Sequence, residues 1–286
     1  MSALSWPPPR QLHEFRTADG ADQTRTGGPL DSVDPTVAEA PTTDPGCRLG
    51  VLAFGDSITN GGGELQWGVA LQSWALWTAR ALGLPYTGYA ADGALVTDVL
   101  ARQIPAYERT NANPDGRYDL GCLYIGVNDV RTFEWDAAAF AAGFESALLF
   151  LRGRCDRVLA VTAPLRLGLP SAGSKVAELN RIVRDTSRRA GALVVDLSSF
   201  GARNHLMTDR VHPTAFGQIA IAERALAVLE RDGLVGRLAP SSLISYEPSR
   251  REQLRADWTY VYRSARQYAR AAITRRRLRR AAAERR

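Results

Sequence analysis

The feature that most constrains the fold of this chain is an alternation of short apolar segments with longer stretches of helical spacing. The apolar segments are residues 49–54, 84–90, 119–125, 158–162 and 193–197; the helical stretches are 67–82, 94–104, 135–151, 175–190 and 214–231. Strands that are apolar along their whole length are typical of parallel sheets with helices on both faces. With right-handed crossovers, this order predicts a three-layer α/β/α fold around a five-stranded, doubly wound, flavodoxin-like parallel sheet.

The regions outside this alternation have a different composition. Residues 1–46 are rich in Pro, Thr, Asp and Gly without periodic apolar positions, which predicts a disordered leader. Residues 47–235 contain the alternating segments and form one predicted folded domain, and residues 236–286 a linker followed by a basic amphipathic helix. The N-terminus has no apolar signal core, and no apolar run is long enough to span a membrane, so we expect a cytoplasmic protein.

Cysteine usage gives no indication of a disulfide or a metal. The chain has an odd number of cysteines, Cys47, Cys122 and Cys155, and they show neither CxxC nor Cys/His spacing. We therefore expect reduced cysteines, with Cys122 a small core residue, and we expect neither a metal nor another cofactor.

Polar residues follow several of the predicted strands. In open α/β sheets, ligands bind outside the carboxyl ends of the strands, so these segments are expected to meet at one edge. Each segment is unremarkable alone, but the set in this order is specific. The segments are Gly-Asp-Ser-Ile at 55–58, Ala-Asp-Gly-Ala at 91–94, Gly-Val-Asn-Asp at 126–129 and Asp-Arg-Val-His at 209–212.

Over roughly residues 49–231 the chain resembles the SGNH (GDSL) hydrolase family. The blocks that carry the resemblance are GDSI at 55–58, Gly93, GVND at 126–129 and DRVH at 209–212. The chain departs from the family in the second block, because the family's frequent Asn a few residues before the glycine is missing from residues 88–92. The resemblance implies a serine-dependent esterase that acts on a small-molecule ester.

The chemistry of ester cleavage assigns a role to each of these residues. A serine hydroxyl needs a neighbouring base to take its proton, so Ser57 is the expected nucleophile and His212 the expected base. Asp209 is the expected anion that orients His212. The backbone N–H groups of Ser57 and Gly93 and the side-chain amide of Asn128 are the expected oxyanion hole.

Three further residues lie close to these blocks in sequence. Asp56 flanks the nucleophile, while Arg131 and Phe133 come shortly after the Asn128 block, so we expect these three to line the substrate pocket. The α/β-hydrolase fold is excluded by the sequence around Ser57. Its nucleophile lies in a G-x-S-x-G motif, and this chain has Thr59 in place of the second glycine.

The C-terminal segment carries most of the positive charge. Residues 250–286 contain thirteen arginines against three acidic residues, a net charge of +10, whereas the rest of the chain accounts for −4 of the formal total of +6. Apolar residues recur there every three or four positions. This pattern leaves three alternatives open: a helix packed on the domain, a helix on an anionic membrane surface, or a segment binding nucleic acid or a partner, of which nucleic acid is disfavoured.

Two functional alternatives to ester hydrolysis also remain open. An acyltransferase would use the same triad with an alcohol or sugar in place of water. A lipid- or partner-binding module on an inactive hydrolase scaffold is disfavoured, because an idle site has no reason to keep Ser57, Asn128, Asp209 and His212 together.

Overall fold

The structure is a computed structural model that describes residues 49–65, 69–111, 116–169, 171–202 and 204–244, and some residues between 251 and 273. Its centre is a five-stranded parallel sheet in the order β2-β1-β3-β4-β5. This is the flavodoxin-like order, and the predicted fold class is confirmed. The strands are β1 (Val51–Gly55), β2 (Tyr86–Gly88), β3 (Tyr118–Tyr124), β4 (Cys155–Val161) and β5 (Leu193–Val195).

Helices cover both faces of the sheet. On one face α2 packs against α7, and on the other α5 packs against α6 and contacts β3 and β4. Residues of β1 and β3 are buried along their whole length, as expected for strands between two helical layers. The helices are α1 (Ser57–Asn60), α2 (Trp74–Leu82), α3 (Val96–Asp98), α4 (Ile104–Thr110), α5 (Ala137–Arg154), α6 (Lys175–Arg189) and α7 (Ala215–Arg231).

The predicted helix over 67–82 begins later than expected. Its first residue is Trp74, because the Ser73 hydroxyl accepts hydrogen bonds from the backbone N–H groups of Ala75 and Leu76 and caps the helix there. Trp74 and Trp77 on this helix are buried in the core.

The prediction that the second helix ends before Pro105 is wrong. The chain continues from α3 through a π-helical segment, Val99–Gln103, directly into α4, where Pro105 occupies the first turn. Because proline has no N–H to donate, this continuing helical stretch lacks one backbone hydrogen bond at Pro105. Local pattern alone did not reveal the wider π turn that precedes it.

Cys122 and Cys155 are buried free thiols, in agreement with the expectation of reduced cysteines, and Cys47 is outside the described residues. A short 3-10 helix at Pro240–Leu243 follows α7. No helix in the described ranges has the length and apolarity required to cross a membrane.

Beyond residue 250 the described positions are helical and exposed. Apolar side chains are among them: Leu254 is 61% exposed, Trp258 73% and Tyr262 66%. The described part of this helix is therefore not packed into the core, which argues against the first of the three alternatives for the C-terminal segment.

Candidate active site

Ser57, the predicted nucleophile, lies on a sharp turn at the carboxyl end of β1. Gly55 ends the strand at φ +154°, and a Cβ there would collide with the Tyr124 carbonyl oxygen on β3. The side chain of Asp56 then caps α1 by accepting a hydrogen bond from the Ile58 N–H at 2.9 Å. Ser57 is the first residue of that helix and comes just after β1, so it lies at the carboxyl edge of the sheet. The residue is 8% exposed.

The structure brings the three predicted triad residues together. The Ser57 Oγ lies 2.9 Å from Nε2 of His212, and His212 Nδ1 lies 2.7 Å from Oδ2 of Asp209. Ser57 and His212 are 155 residues apart in sequence. Both distances are within hydrogen-bond range, so a proton can pass from the serine to an imidazole whose other nitrogen is held by a carboxylate.

The loop that carries His212, the predicted base, is shaped by Asp209 itself. Asp209 Oδ1 accepts hydrogen bonds from the backbone N–H groups of Val211 and His212, at 2.9 and 3.1 Å. Arg210, which lies between Asp209 and Val211, adopts φ +57°, a left-handed conformation that is costly for a residue with a side chain. The tight turn folds Asp209 back under His212, which explains how two residues only three apart can pair.

The electrostatics of the pair favour an ionised carboxylate beside a basic imidazole. Burial pushes the pKa of Asp209 upward, but the hydrogen bonds from His212 and Val211 outweigh it and leave the pKa lowered. The hydrogen bond to Asp209 raises the pKa of His212 above its usual value, with burial and the nearby Arg131 acting against the shift. His212 is thus a stronger base than a free histidine.

The expected oxyanion residues lie on adjoining loops. Gly93 has φ +73°, which suits a glycine, and no atom lies within 4 Å of a Cβ built there. Asn128 donates from Nδ2 to the carbonyl oxygen of Ala94 at 3.1 Å. Asp129 accepts a hydrogen bond from the Val96 N–H at 3.1 Å, so the loops after β2 and β3 are tied together at two points.

Asp56, which was expected to line the substrate pocket, is instead fully buried. One carboxylate oxygen caps α1, and the other has no hydrogen-bond partner among the described residues. Burial raises the pKa of Asp56 to about 7, against the hydrogen bond from Ile58 and the positive field of His212, which lower it. Its carboxyl group therefore belongs beneath the site and not on its surface.

We expect the Asp56→Asn variant to be stabilised over wild type as the pH rises. An acid whose folded pKa is raised loses stability between its unfolded pKa, 3.8, and its folded pKa, about 7. Each unit of pKa difference corresponds to about 1.4 kcal/mol. Asparagine can still accept the bond from Ile58 but does not titrate, so urea unfolding of both proteins at about pH 4 and pH 8 should show the free-energy difference growing in favour of the variant. Parallel pH dependence of the two proteins would contradict the assignment.

Arg131 and Phe133 lie in the segment that follows β3. Arg131 is close enough to His212 to lower its pKa, and Phe133 is 99% exposed. A cleft of about 280 Å³ adjoins this loop; its lining includes Leu95, Asp129, Thr132, Trp135 and Phe140.

Two functional candidates were missed from the sequence. Gln103 and Gln218 are buried, and their side chains bond to the backbone around Ser57. For Gln218 a signal was present, because a polar residue occupies the apolar face of α7 between Ala215 and Ala222. Over the described ranges, no group of three His, Cys, Asp or Glu side chains is arranged to hold a metal ion.

Comparison with known proteins adds a sequence match and a structural likeness. The model of the GDSL-like Lipase/Acylhydrolase family matches residues 53–219, more than half of the chain. No curated protein sequence matches the chain.

Two solved structures illustrate the structural likeness. LAE5, an alpha/beta hydrolase enzyme from the metagenome of Lake Arreo, Spain, has 19% identity and a TM-score of 0.50, covering 63% of this chain and 94% of its own. A catalytic mutant of Axe2, an acetylxylan esterase from Geobacillus stearothermophilus, has 20% identity and a TM-score of 0.50, covering 63% and 93%. At these identities the likeness shows the fold, while the family model matches the segment that contains all three triad residues. The chain belongs to the GDSL-like lipase/acylhydrolase family and is an ester-hydrolysing enzyme.

Proposed function

We propose that this protein hydrolyses carboxylic esters through an acyl intermediate on Ser57. The observation that carries the proposal is the continuous line of hydrogen bonds from Ser57 Oγ through His212 to Asp209. This is the arrangement by which a weakly nucleophilic hydroxyl is activated for attack on a carbonyl carbon.

The steps follow from that geometry. Ser57 Oγ attacks the ester carbonyl carbon as His212 Nε2 takes its proton, and a tetrahedral oxyanion forms. The oxyanion collapses to the acyl-serine, the bond to the alcohol oxygen breaks, and His212 returns the proton to the departing alcohol. Water then repeats the sequence and releases the acid. Asp209 stays ionised throughout, in keeping with its lowered pKa, and stabilises the imidazolium.

The oxyanion would be held by the backbone N–H groups of Ser57 and Gly93 and by the side chain of Asn128. One hydrogen of the Asn128 amide is directed at the Ala94 carbonyl oxygen, which fixes the plane of the amide. The second hydrogen is then available for the oxyanion. Preorganised donors of this kind are each worth a factor of about 10² to 10³ in turnover.

The substrate would be contacted by Arg131 and Phe133. Phe133 offers an apolar ring that is almost wholly exposed, and Arg131 offers a cation whose field reaches His212. We therefore propose that these two residues contact the acyl or alcohol part of the ester, whereas buried Asp56 does not.

The mechanism is tested by identifying the nucleophilic residue. The protein is treated with a fluorophosphonate, which reacts with activated serines, and the labelled peptide is located by mass spectrometry. We expect the label on Ser57 and expect prior incubation with a p-nitrophenyl ester to slow labelling. A label on another serine would overturn the proposal.

Transfer of the acyl group to an alcohol or sugar is the alternative outcome of the same chemistry. Product analysis with p-nitrophenyl acetate in the presence of added alcohols or sugars separates the two. Free acid as the only product supports hydrolysis, and an acylated alcohol or sugar as the main product supports transfer.

We further propose that the C-terminal helix contacts an anionic membrane surface. Exposed apolar side chains at Leu254, Trp258 and Tyr262 lie on the same helix as exposed Arg251 and Arg255. Within a segment of net charge +10, this is the composition of a helix that lies at a lipid interface. Each arginine near such a surface contributes about 1 kcal/mol.

We expect the full chain to co-sediment with vesicles containing phosphatidylserine at low salt and to be released by added salt. The matched variant replaces Arg251, Arg255 and Arg266 with glutamate, which removes three cations and adds three anions without shortening the chain. Its bound fraction should fall by at least about tenfold. Equal sedimentation of the two proteins would remove the lipid role, and so would equal binding to uncharged phosphatidylcholine vesicles.

A further inference from the structure

The turn that carries Ser57 is too short to hold its own shape. Helix α1 has only four residues, and a single helical turn is unstable in isolation. The last carbonyl groups of a helix also have no partner within it. Ile58 is 1% exposed, and within the turn its carbonyl oxygen accepts a long hydrogen bond, at 3.4 Å, from the N–H of Gly61.

Gln218 gives the Ile58 carbonyl oxygen a second, shorter hydrogen bond from a distant part of the chain. Its Nε2 donates to the carbonyl oxygens of Ile58 and Gly62, at 2.9 and 3.1 Å, and its Oε1 accepts from the Trp74 N–H at 2.8 Å. The side chain is fully buried. Both amide hydrogens and the amide oxygen are therefore used to join the end of α1 to the start of α2.

The same residue is fixed to the element that carries the base. The backbone N–H of Gln218 donates to the carbonyl oxygen of Thr214 at 2.9 Å, and Thr214 caps α7. Thr214 follows His212 by two residues. Gln218 is thus held on the helix that begins beside His212, while its side chain holds the turn that presents Ser57.

A second buried amide holds the other end of the turn. Gln103 is 3% exposed and lies at the end of the π-helical segment. Its Oε1 accepts from the Gly55 N–H at 3.0 Å and its Nε2 donates to the Gly55 carbonyl oxygen at 2.8 Å. The two carboxamides therefore bracket the nucleophile turn from Gly55 to Gly62.

We infer that Gln218 is a positioning residue of the reaction, which sets the distance between Ser57 and His212 by tying α1 to α7, with Gln103 fixing the preceding end of the turn. The inference rests on the proposed function. It predicts that loss of the amide lowers kcat while leaving substrate affinity largely intact, because the reacting groups are displaced and the substrate pocket is not.

The test uses Gln218→Met in the full chain, since methionine has a similar length and no hydrogen-bonding amide. A misplacement of about 1 Å costs on the order of 10² in rate, so we expect kcat for p-nitrophenyl acetate to fall about 100-fold, with KM changed by less than about threefold. Labelling of Ser57 by a fluorophosphonate should slow by a similar factor. Activities are compared at a temperature where circular dichroism shows each protein to be folded.

A second variant distinguishes positioning from bulk destabilisation. In Gln218→Glu, the carboxylate still accepts from Trp74 but donates to Ile58 or Gly62 only when protonated. Its kcat relative to wild type should therefore rise as the pH is lowered, whereas the ratio for Gln218→Met should stay flat. The stability control is Asp119→Ala, which removes the bond that Asp119 accepts from Gly50 at the opposite end of the strands. That variant should unfold at lower temperature with kcat within about threefold of wild type.

A folded Gln218→Met protein with kcat within about threefold of wild type would overturn the inference. If that variant fails to fold, the Gln218→Glu variant decides. A kcat equal to that of wild type at every pH would then overturn the inference equally. Ser57→Ala is assayed alongside. If it is inactive while Gln218→Met is fully active, only the positioning role fails; if Ser57→Ala keeps the wild-type rate, the proposed function itself fails.

Discussion

Replacing Ser57 with alanine is expected to lower kcat for p-nitrophenyl acetate by a factor on the order of 10⁶. The substitution removes the oxygen that attacks the carbonyl carbon, and no other described hydroxyl lies as close to His212 Nε2 as the 2.9 Å of Ser57 Oγ. Residual activity of about 10³ to 10⁴ over the uncatalysed rate should persist, because the oxyanion donors and the substrate contacts remain. The measurement is steady-state hydrolysis with the protein purified free of contaminating esterases.

The matched control for this substitution is Ser146→Ala. Ser146 is exposed on α5, and among the described residues its hydroxyl bonds only to the carbonyl oxygen of Ala142, one turn earlier. Its loss should leave kcat unchanged. A Ser57→Ala protein that retained a tenth or more of wild-type kcat would rule out the acyl-serine mechanism, since a triad serine contributes far more than tenfold.

The second large effect is expected from Asp209→Asn, which should lower kcat by about 10⁴. The asparagine oxygen can still accept the bonds from Val211 and His212, so the loop should keep its shape. The group that faces His212 Nδ1 at 2.7 Å, however, becomes an N–H donor in place of an acceptor. In its favoured tautomer His212 then presents its proton-bearing nitrogen to Ser57, so only the minor tautomer can still act as the base.

The same variant has a pH signature. His212 must be neutral to take the proton, and Asp209 raises its pKa above the usual 6.5, so wild-type kcat/KM should rise with pH through that raised value. Without the carboxylate the pKa falls, and the acidic limb of the residual activity should move to lower pH. An unchanged limb would show that Asp209 is not the partner of His212 in solution.

Asp196→Asn is the matched control for Asp209→Asn. Asp196 follows β5, is partly exposed and has a lowered pKa owing mainly to hydrogen bonds from Ser198 and Thr162, which outweigh the opposing effect of its burial. None of its described bonds reaches the triad. Its replacement should therefore leave the position of the acidic limb unchanged.

Much of the fold was predictable because its signal is local. The apolar segments around Phe54, Leu123 and Leu159 are buried in strands of one sheet, and the order of elements sufficed to predict the parallel topology. Predictions failed at the ends of elements, because capping side chains and a change of helix type set those ends and the apolar pattern does not reveal them. Pro105 lies inside a continuing helical stretch because a π segment precedes it, and α2 starts at Trp74 because Ser73 caps it.

The residues of the candidate site also fall into those that the sequence indicated and those that it did not. The triad residues were recognisable because each follows a predicted strand or precedes a predicted helix at one sheet edge. Gln103 and the buried state of Asp56 were not recognisable, since neither is a property of the nearby sequence. Asp56 was expected to face the substrate, and only the packing of α1 and the surrounding strands turns its carboxyl group inward and raises its pKa.

The sequence by itself therefore determined which residues can carry the chemistry and which sheet edge collects them, because both follow from apolar periodicity and from residue type. Only the tertiary structure decided that Ser57, His212 and Asp209 lie within hydrogen-bond distance. That distance depends on contacts such as those of Gln218, which joins backbone groups 156 and 160 residues away. A hydrogen bond requires agreement to a few tenths of an ångström, and such agreement arises from packing across the whole domain.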